Sequence, residues 1–478
     1  MTKPQRSFAA AAEKRDESPA SAAADQRKKR RGTPTTILSL DHDIMCIIFA
    51  FLDMFDLVRC SLVCKFWNAI VESRSLREFY DRKLKHSSTF TSSSSEFTEK
   101  PLRLILREVA MEQHRLALQS GVFHVDQWRG HSKTVAQCRM KMGMVVTGVG
   151  DKVIRLWSLD NYKCMEEYLI PDMFPLVDFD FDESKVIRLW SLDNYKCMEE
   201  YLIPDMFPLV DFDFDESKIV GLIGSRLCIW RRNGKRSIFP SLEGKFVKGS
   251  CIRYSDPEAV VGCDDGAVRV FDMYSRRCSQ IIRMHYAPIT CLCLSEDQLI
   301  LSGSTSGNIT ISDPSSVQQV ATLRSSDVRG IRTLCLNTSS QLVFAGSSVG
   351  HTSCWDLRTR RLLWDTRVSP NVVYSIQHMP SDTSTLAVGG IDGILRFLNQ
   401  NDGNIVSSCI IQDKLLSTSQ SPSGSIQRRK GRRLPEDTYI NIDIIPKSVR
   451  PSITCLAVGM KKIVTTHNSN DIRLWKFN

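Results

Sequence analysis

The 478-residue chain lacks the features that mark a membrane protein, a secreted protein or a metalloenzyme. No apolar run is long enough to cross a bilayer, and the N-terminus has no hydrophobic signal core. Neither GxxxxGK[ST] nor HExxH occurs. The sixteen cysteines are scattered, without a Cys-x-x-Cys pair or a nearby histidine that completes a metal set. We therefore expect a soluble intracellular protein that is not an enzyme and holds no metal and no cofactor.

The net charge of +10 is concentrated in two segments. Residues 1–35 hold nine basic and four acidic side chains, or +5, and residues 412–437 hold six and three, or +3. The remainder is nearly neutral, so nucleic-acid binding is not expected. The first segment is predicted to be a disordered basic tail, and its basic run is either a nuclear-import signal or a solvated tail without a receptor. That run consists of Arg27, Lys28, Lys29, Arg30 and Arg31.

A helical hairpin is predicted between Leu40 and Trp67. Apolar residues recur there at steps of three and four, which places them on one helical face, and aspartates at the start suit the helix dipole. A second apolar run begins at Leu57. A segment this short buries little hydrophobic core by itself. Its remaining apolar surface must therefore be covered by a partner or by the rest of the chain. The first stripe consists of Ile44, Ile47, Ile48 and Phe51.

The same segment resembles the F-box, the helical module that docks on the Skp adaptor of cullin-type ubiquitin ligases. The likeness rests on the apolar spacing and on the run VCKFW at residues 63–67. F-box sequences usually begin Leu-Pro, whereas Leu40 is followed by Asp41, which lacks the fixed φ angle of proline. The resemblance implies an adaptor-binding surface formed by Leu40, Ile44, Ile48, Phe49, Leu52, Leu57, Val63, Cys64 and Trp67.

From Gly121 onward the sequence changes to short alternating strands with polar turns. Units such as VVGCDDGAVRVFD and VFAGSSVGHTSCWD resemble WD repeats, in which four strands make one blade of a β-propeller. The residues at the Trp position of the repeat are separated by steps of 73, 41, 41, 43, 43 and 77. They are Trp157, Trp230, Phe271, Ser312, Trp355, Leu398 and Trp475.

The step of 73 is caused by a duplication. Residues 153–185 and 186–218 are the same 33 residues, and subtracting one copy restores a step of 40. The copy adds no second strand, so a complete extra blade would leave neighbouring strands unpaired. We expect seven blades, with one copy looped out or packed as a defective eighth. The duplication is either a recent in-frame event or a gene-model artefact.

The step of 77 contains residues 412–437, which are Ser-rich and basic and are predicted to form an exposed disordered loop. The last repeat lacks its fourth strand. The segment FHVDQW at residues 123–128 precedes the first full repeat and can supply it, which would close the ring and remove a sheet edge.

Substrate binding is expected at one mouth of the propeller channel. Aligned on Thr290, the positions at that mouth read Ala136, Val210, Ser250, Thr290, Arg332, Tyr374 and Thr454. We assign Arg332, Tyr374, Thr290 and Thr454 to the substrate face. A buried phosphate needs several basic partners and Arg332 is alone, so we expect a target that is not selected mainly through a phosphate at this mouth.

The sequence thus predicts an α plus all-β chain with a disordered basic tail, an F-box, a helical linker and a WD-repeat propeller. The expected bounds are 1–35, 36–80, 81–120 and 121–478. The resemblance implies the substrate-recognition subunit of an SCF-type ubiquitin ligase, with a Skp adaptor, cullin and RING subunits and an unidentified protein substrate as partners. The alternative is a WD-repeat scaffold of a nuclear or cytosolic assembly without ligase function.

Overall fold

The structure is a computed structural model of this chain. It describes residues 37, 40–85, 100–141, 144–148, 153–158, 164–169, 186–190, 197–202, 209–231, 236–238, 248–324, 329–412, 426–435, 445 and 450–478. Two compact units divide the chain, residues 1–110 and residues 111–478. The basic run at residues 27–31 and most of the Ser-rich segment lie outside the described residues.

The described N-terminal region is helical. Its five helices are α1 (His42–Ala50), α2 (Met54–Ser61), α3 (Lys65–Val71), α4 (Arg74–Lys85) and α5 (Leu102–Gln119). The boundary between the two units falls within α5. The predicted linker at residues 81–120 therefore contains the end of α4 and all of α5.

Three of these helices begin with a side-chain cap. Asp41 has an extended backbone, and its carboxylate accepts a hydrogen bond of 2.9 Å from the His42 amide. Asp53 accepts a hydrogen bond of 2.8 Å from the amide of Asp56. The Cys64 thiol accepts a hydrogen bond of 3.4 Å from the amide of Trp67. An aspartate cap such as Asp53, which accepts from the third amide of its helix, contributes about 1 kcal/mol. Asp41 is the N-terminal cap of α1 at the position where F-box sequences usually carry proline.

The helical unit has its own hydrophobic core. Phe49 of α1 and Trp67 of α3 pack edge to face with ring centroids 5.4 Å apart. The first residues of α5 enter the same core, because Leu102 and Leu106 are buried in it. Its fully or nearly buried members include Met45, Phe49, Leu57, Ile70, Val71, Leu76 and Tyr80.

The second unit is built of antiparallel sheets, five of which have four strands within the described residues. The first of these sheets contains β2 (Gln137–Lys141), β3 (Met144–Gly148), β4 (Val153–Ser158) and β5 (Cys164–Leu169), and the second contains β8 (Leu209–Phe214), β9 (Lys218–Ile223), β10 (Arg226–Arg231) and β11 (Arg236–Ile238). The third contains β12 (Gly249–Ser255), β13 (Glu258–Cys263), β14 (Ala267–Asp272) and β15 (Arg277–Arg283), and the fourth contains β16 (Ile289–Leu294), β17 (Ile300–Ser304), β18 (Asn308–Asp313) and β19 (Gln318–Arg324). The fifth contains β20 (Ile331–Asn337), β21 (Leu342–Ser347), β22 (His351–Asp356) and β23 (Arg361–Arg367).

A nine-stranded sheet contains two further sets of four strands, joined by one extra strand. In spatial order its members are β24 (Val373–Gln377), β25 (Thr385–Gly390), β26 (Leu395–Asn399), β27 (Ile405–Ile411), β28 (Gln427–Arg433), β1 (Phe123–Arg129), β31 (Asp471–Phe477), β30 (Lys462–His467) and β29 (Ile453–Gly459). Strand β1 pairs with β31 in antiparallel register, from Phe123 opposite Phe477 to Arg129 opposite Asp471. The prediction that the N-terminal segment supplies the missing fourth strand is confirmed.

The glycine of the repeat allows neighbouring sheets to pack closely. A Cβ at Gly303 of β17 would lie 2.7 Å from Ile331 at the start of β20, and one at Gly389 of β25 would lie 2.5 Å from Ile453 at the start of β29. Real Cβ contacts are not that short, so the second strand of each of these sheets needs glycine there. The Gly-Ser or Gly-Gly of the repeat sequence therefore marks contact between successive blades.

The first strands of the four-stranded sets contact one another in a closed order, β2, β8, β12, β16, β20, β24, β29 and again β2. Between β2 and β8 the contact includes an ion pair of 2.9 Å from Arg139 to Asp211. The β domain is a propeller, and this order agrees with the predicted count of seven blades, which stays a prediction. Strands β6 (Val186–Trp190) and β7 (Cys197–Leu202), from the second copy of the duplication, pair only with each other in the described structure.

The expectation of a disordered loop at residues 412–437 is wrong for β28. This strand pairs with β27 through Cys409 to Ile411 and with β1 through His124 to Gln127. Its side chains are held as well, since Arg433 donates to the carbonyl oxygens of Leu118 and Gly121, both at 2.8 Å. Pairing with the backbones of β1 and β27 holds β28 in the sheet, and its own sequence has no apolar alternation that predicts a strand.

Candidate protein-binding surfaces

Helix α1 is apolar on two opposite faces. One face packs in the core, where Met45 and Phe49 are 0% and 2% exposed. The other face carries the stripe recognised in the sequence and remains exposed within the unit, with Ile47 at 60% and Phe51 at 87%. Exposed apolar groups in a monomer are ordinary singly, but a whole helical stripe indicates a binding surface.

A second exposed apolar group lies at the junction of α2 and α3. Leu62 is the C-terminal cap of α2, Val63 is next, and Cys64 is the N-terminal cap of α3. Leu62, Val63 and Phe66 are 73%, 64% and 41% exposed. We call the two groups together the apolar surface; it consists of Ile44, Ile47, Ile48, Phe51, Leu62, Val63 and Phe66.

The predicted adaptor-binding residues fall into three classes. Ile44, Ile48 and Val63 are exposed on the apolar surface. Leu40, Leu52, Cys64 and Trp67 are partly buried, and three of these four pack against the core while Cys64 caps α3. Phe49 and Leu57 are 2% and 0% exposed, so in this structure they support the helices and offer no surface to a partner.

Four exposed residues of the apolar surface were missing from the predicted set. Ile47 and Phe51 belong to the stripe that the sequence shows, and their three- and four-residue steps from Ile44 and Ile48 could have identified them. Leu62 and Phe66 interleave with the recognised residues Val63 and Trp67. No spacing rule separates them from core residues, because the junction between α2 and α3 is not periodic.

In the propeller, the predicted mouth positions are structurally equivalent. Each of six lies at a register shift near the start of the first strand of its sheet, where one residue is left out of the pairing. Those six residues are Val210, Ser250, Thr290, Arg332, Tyr374 and Thr454. Ala136 directly precedes β2. The repeat alignment made from the sequence is therefore in phase at this mouth.

The hydroxyls at this mouth bond within the propeller. Thr290 Oγ1 donates to Ile331 O of the next sheet at 2.5 Å, and Ser250 Oγ donates to Ile289 O. The Thr454 hydroxyl lies 3.1 Å from that of Thr466. Arg332 is exposed and Tyr374 is partly buried. Of the four predicted substrate-face residues, Arg332 and Tyr374 thus remain the better candidates for outside contacts.

Charged groups also join the first strands below the mouth. Asp211 of β8 lies 2.9 Å from Arg139 of β2 and 3.3 Å from Arg253 of β12, and so bridges three sheets. Burial raises the pKa of the neighbouring Asp213, but Lys141, Arg139 and Arg253 outweigh this effect and lower that pKa below its usual value. The three basic and two acidic side chains thus form one network of ion pairs across three sheets.

Two arrangements found in enzymes, a metal site and a nucleophile elbow, are not formed by the described residues. No group of three or more His, Cys, Asp or Glu side chains among them could hold a metal ion. The letters GSSVG at residues 346–350 fit the nucleophile elbow of hydrolases. However, Ser348 lies in the turn between the antiparallel strands β21 and β22, whereas that elbow joins a strand to a helix. None of the described helices is long and apolar enough to span a bilayer.

A module of capped helices with an exposed apolar surface and a β-propeller are the two parts of this chain. The F-box domain model matches residues 37–79. A protein of Arabidopsis thaliana described as an F-box/WD-40 repeat-containing protein is 51% identical over 451 residues, which cover 94% of this chain and 96% of that protein. The chain belongs to the F-box/WD-40 repeat-containing protein family. Among solved structures, the computationally designed Ika8 protein is 14% identical, with a TM-score of 0.49 over 73% of this chain and 98% of that one.

Proposed function

We propose that this chain is the substrate-recognition subunit of an SCF-type ubiquitin ligase. The apolar surface of the F-box binds a Skp-type adaptor, and the propeller binds a target protein. Ubiquitin transfer then occurs on the cullin and RING subunits, so the chain contributes position and effective concentration rather than a nucleophile.

The exposed stripe of α1 carries the proposal. Phe51 and Ile47 are 87% and 60% exposed although the same helix buries Met45 completely. Burying such side chains at an interface contributes about 25 cal/mol per Å² of apolar area, and large apolar residues are frequent binding hot spots. The F-box match places these residues in a module whose relatives generally bind Skp-type adaptors.

The first test is recovery of a Skp-type adaptor with the full chain. Ile47→Asp and Phe51→Asp place a carboxylate on the apolar surface and should each reduce adaptor recovery at least tenfold. Leu104→Asp is the matched control, because Leu104 is also apolar and 42% exposed but lies on α5. If the wild-type chain is folded and no adaptor is recovered, the chain is better interpreted as a scaffold without ligase function.

The second test concerns the propeller. With a target protein in hand, Arg332→Ala and Tyr374→Ala should weaken its binding while the adaptor is retained. Arg332 is the single basic side chain among the mouth positions, so phosphatase treatment of the target should leave binding largely intact. Loss of binding after both phosphatase treatment and Arg332→Ala would overturn the expectation about phosphate.

We further propose that the protein acts in the nucleus, the cytoplasm or both. The basic run at residues 27–31 supports nuclear import by its composition alone. Replacing its five basic residues by alanine and following a fluorescent fusion tests this, since an import signal predicts a shift to the cytoplasm. An unchanged distribution would indicate a solvated tail.

A further inference from the structure

Strand β28 carries basic residues at alternate positions on one face. Residues 427–433 of this strand read QRRKGRR, and successive side chains of a strand point to opposite faces of the sheet. Arg428, Lys430 and Arg432 therefore share one face, and all three are exposed. At a rise of about 3.4 Å per residue, their Cα atoms repeat about every 6.8 Å. We call these three residues the basic ridge.

The opposite face of β28 is packed, and it determines which residues form the basic ridge. A Cβ at Gly431 would overlap the ring of Phe123. The guanidinium of Arg433 lies 5.5 Å from the centre of the same ring. A slip of β28 by one residue would place a long basic side chain against Phe123 in place of glycine. The register of β28, and with it the outward direction of the ridge, is therefore fixed.

Both edges of β28 are occupied by backbone pairing, with β27 on one side and β1 on the other. A partner therefore cannot add a further strand to β28, and it can contact the ridge through side chains alone. In the nine-stranded sheet, β28 lies four strands from β24 and four from β29. At about 4.8 Å per strand this is roughly 19 Å along the sheet, so the ridge is separate from the mouth positions on the first strands.

The ridge keeps an excess of positive charge. Arg428 Nε lies 3.1 Å from the carboxylate of Asp126, which is fully buried and also lies 3.2 Å from Lys476 Nζ. One carboxylate shared by two cations cannot neutralise both. Within the part of the chain that the structure describes, no carboxylate forms an ion pair with Lys430 or Arg432. The ridge therefore attracts an anionic partner that has several charges.

The chemistry of the ridge favours an acidic protein segment over a nucleic acid or a membrane. Single-stranded nucleic acids bind to grooves in which aromatic side chains stack on the bases, and β28 has no aromatic residue. Membrane-surface binding requires large apolar side chains beside the basic ones, and β28 has none of these. An extended polypeptide with a carboxylate at every second residue has a charge repeat of about 6.8 Å, which matches the ridge.

We propose that the basic ridge binds an extended acidic segment of a partner protein, with carboxylates at alternate positions facing Arg428, Lys430 and Arg432. A guanidinium can hold a carboxylate through two parallel hydrogen bonds, so Arg432 orients the segment, whereas Lys430 contributes a point charge. The ridge shares no residue with the apolar surface or with the mouth positions. This interaction is therefore independent of adaptor binding and of ligase function.

The first test is fluorescence anisotropy of the full-length chain with a fluorescein-labelled peptide of six Glu-Thr repeats, which carries a carboxylate at every second residue. We expect saturable binding at about 50 mM salt that weakens several-fold at about 200 mM, because exposed charges are screened. A peptide of six Gln-Thr repeats has the same shape without the charges and should not bind. Equal binding of the two peptides would overturn the proposal, whether or not any variant folds.

The second test removes charge from the ridge. A ridge variant with Lys430→Gln and Arg432→Gln should bind the Glu-Thr peptide about fivefold more weakly than the wild type. The matched control is Arg324→Gln with Arg361→Gln, which removes two exposed charges from the outer strands β19 and β23. It should bind within about twofold of the wild type. An equal loss in both double variants would indicate attraction by net charge alone and would contradict a specific ridge.

The third test compares other polyanions under the same conditions. An oligothymidylate of twelve nucleotides and vesicles containing phosphatidylserine replace the peptide as probes. We expect the ridge variant and the wild type to bind each of these probes equally, because the ridge has neither stacking nor apolar side chains for them. If the ridge variant lost more affinity for the oligonucleotide or the vesicles than for the Glu-Thr peptide, the partner would not be an acidic protein segment.

Discussion

The F-box and the propeller differ in which side chains they leave exposed at the surfaces proposed to bind partners. Helix α1 has more apolar surface than its own core can cover, so Ile47 and Phe51 remain exposed. The propeller mouth shows the reverse, because the Ser250 and Thr290 hydroxyls bond to the next sheet and Arg332 is its single basic position. The adaptor docking proposed above corresponds to this exposed apolar surface. The proposed target recognition has no comparable exposed group among the mouth positions.

The largest expected effect is the difference in stability between a substitution in the core of the helical unit and one on its exposed apolar surface. Leu57→Asp should lower the free energy of unfolding of the helical unit by about 4 kcal/mol, because it removes a core side chain and buries an unpaired carboxylate. Phe51→Asp should change it by less than about 0.5 kcal/mol, since Phe51 is exposed. Hydrogen exchange of α1–α3 amides measures both. Loss of protection in the Phe51 variant would show that the stripe is needed for folding.

The next effect concerns the propeller strand that the sequence did not reveal. Arg433→Ala should lower the free energy of unfolding of the propeller by about 3 kcal/mol, because it leaves the carbonyl oxygens of Ala117, Leu118 and Gly121 without a charged donor. Arg432→Ala on the same strand is the control, since Arg432 is exposed. Denaturant unfolding of the full chain compares the two. Equal stability of both variants would favour the loop interpretation over the strand.

Acid should destabilise the propeller in part through His467, whose pKa is lowered by burial and by the charge of Arg473. Its lowered pKa means that the folded state favours the neutral ring, so stability is present above the unfolded value near 6.5 and is lost as pH falls toward 3. At pH 5 the expected loss is about 2 kcal/mol. His467→Gln should weaken this dependence, measured by thermal unfolding between pH 7 and 5, although His114, whose pKa is lowered to about 4, should leave part of it. A wild-type propeller as stable at pH 5 as at pH 7 would contradict the buried neutral ring.

The smallest effect tests the interpretation of the mouth. Thr290→Val should cost about 1 kcal/mol, because it removes the hydroxyl that donates to Ile331 O between sheets. Arg332→Ala should leave stability unchanged within about 0.5 kcal/mol. Thermal unfolding of the two variants is sufficient. If Arg332→Ala is the more destabilising change, Arg332 has a structural role and is a poor candidate for target binding.

Much of the fold was predictable because it is periodic. The repeat phase placed six mouth residues at equivalent register shifts, and the missing last strand required a partner such as β1. The inward face of α1 was not predictable, because Met45 and Phe49 are as apolar as Ile44 and Ile48 and both sets follow helical spacing. Strand β28 was missed because its basic side chains carry no apolar alternation, and its pairing comes from the edges of β1 and β27.

The pairing of β1 with β31 also sets the order in which this protein can mature on the ribosome. Phe123 is synthesised 348 positions before Asp471, which begins its partner strand. At about 5–20 residues per second, the first strand waits roughly 20–70 s for that partner. The helical unit contains its whole core within residues 1–110 and emerges first. The helical unit can therefore fold on the nascent chain before the ring exists, whereas the propeller mouth is a property of the finished polypeptide.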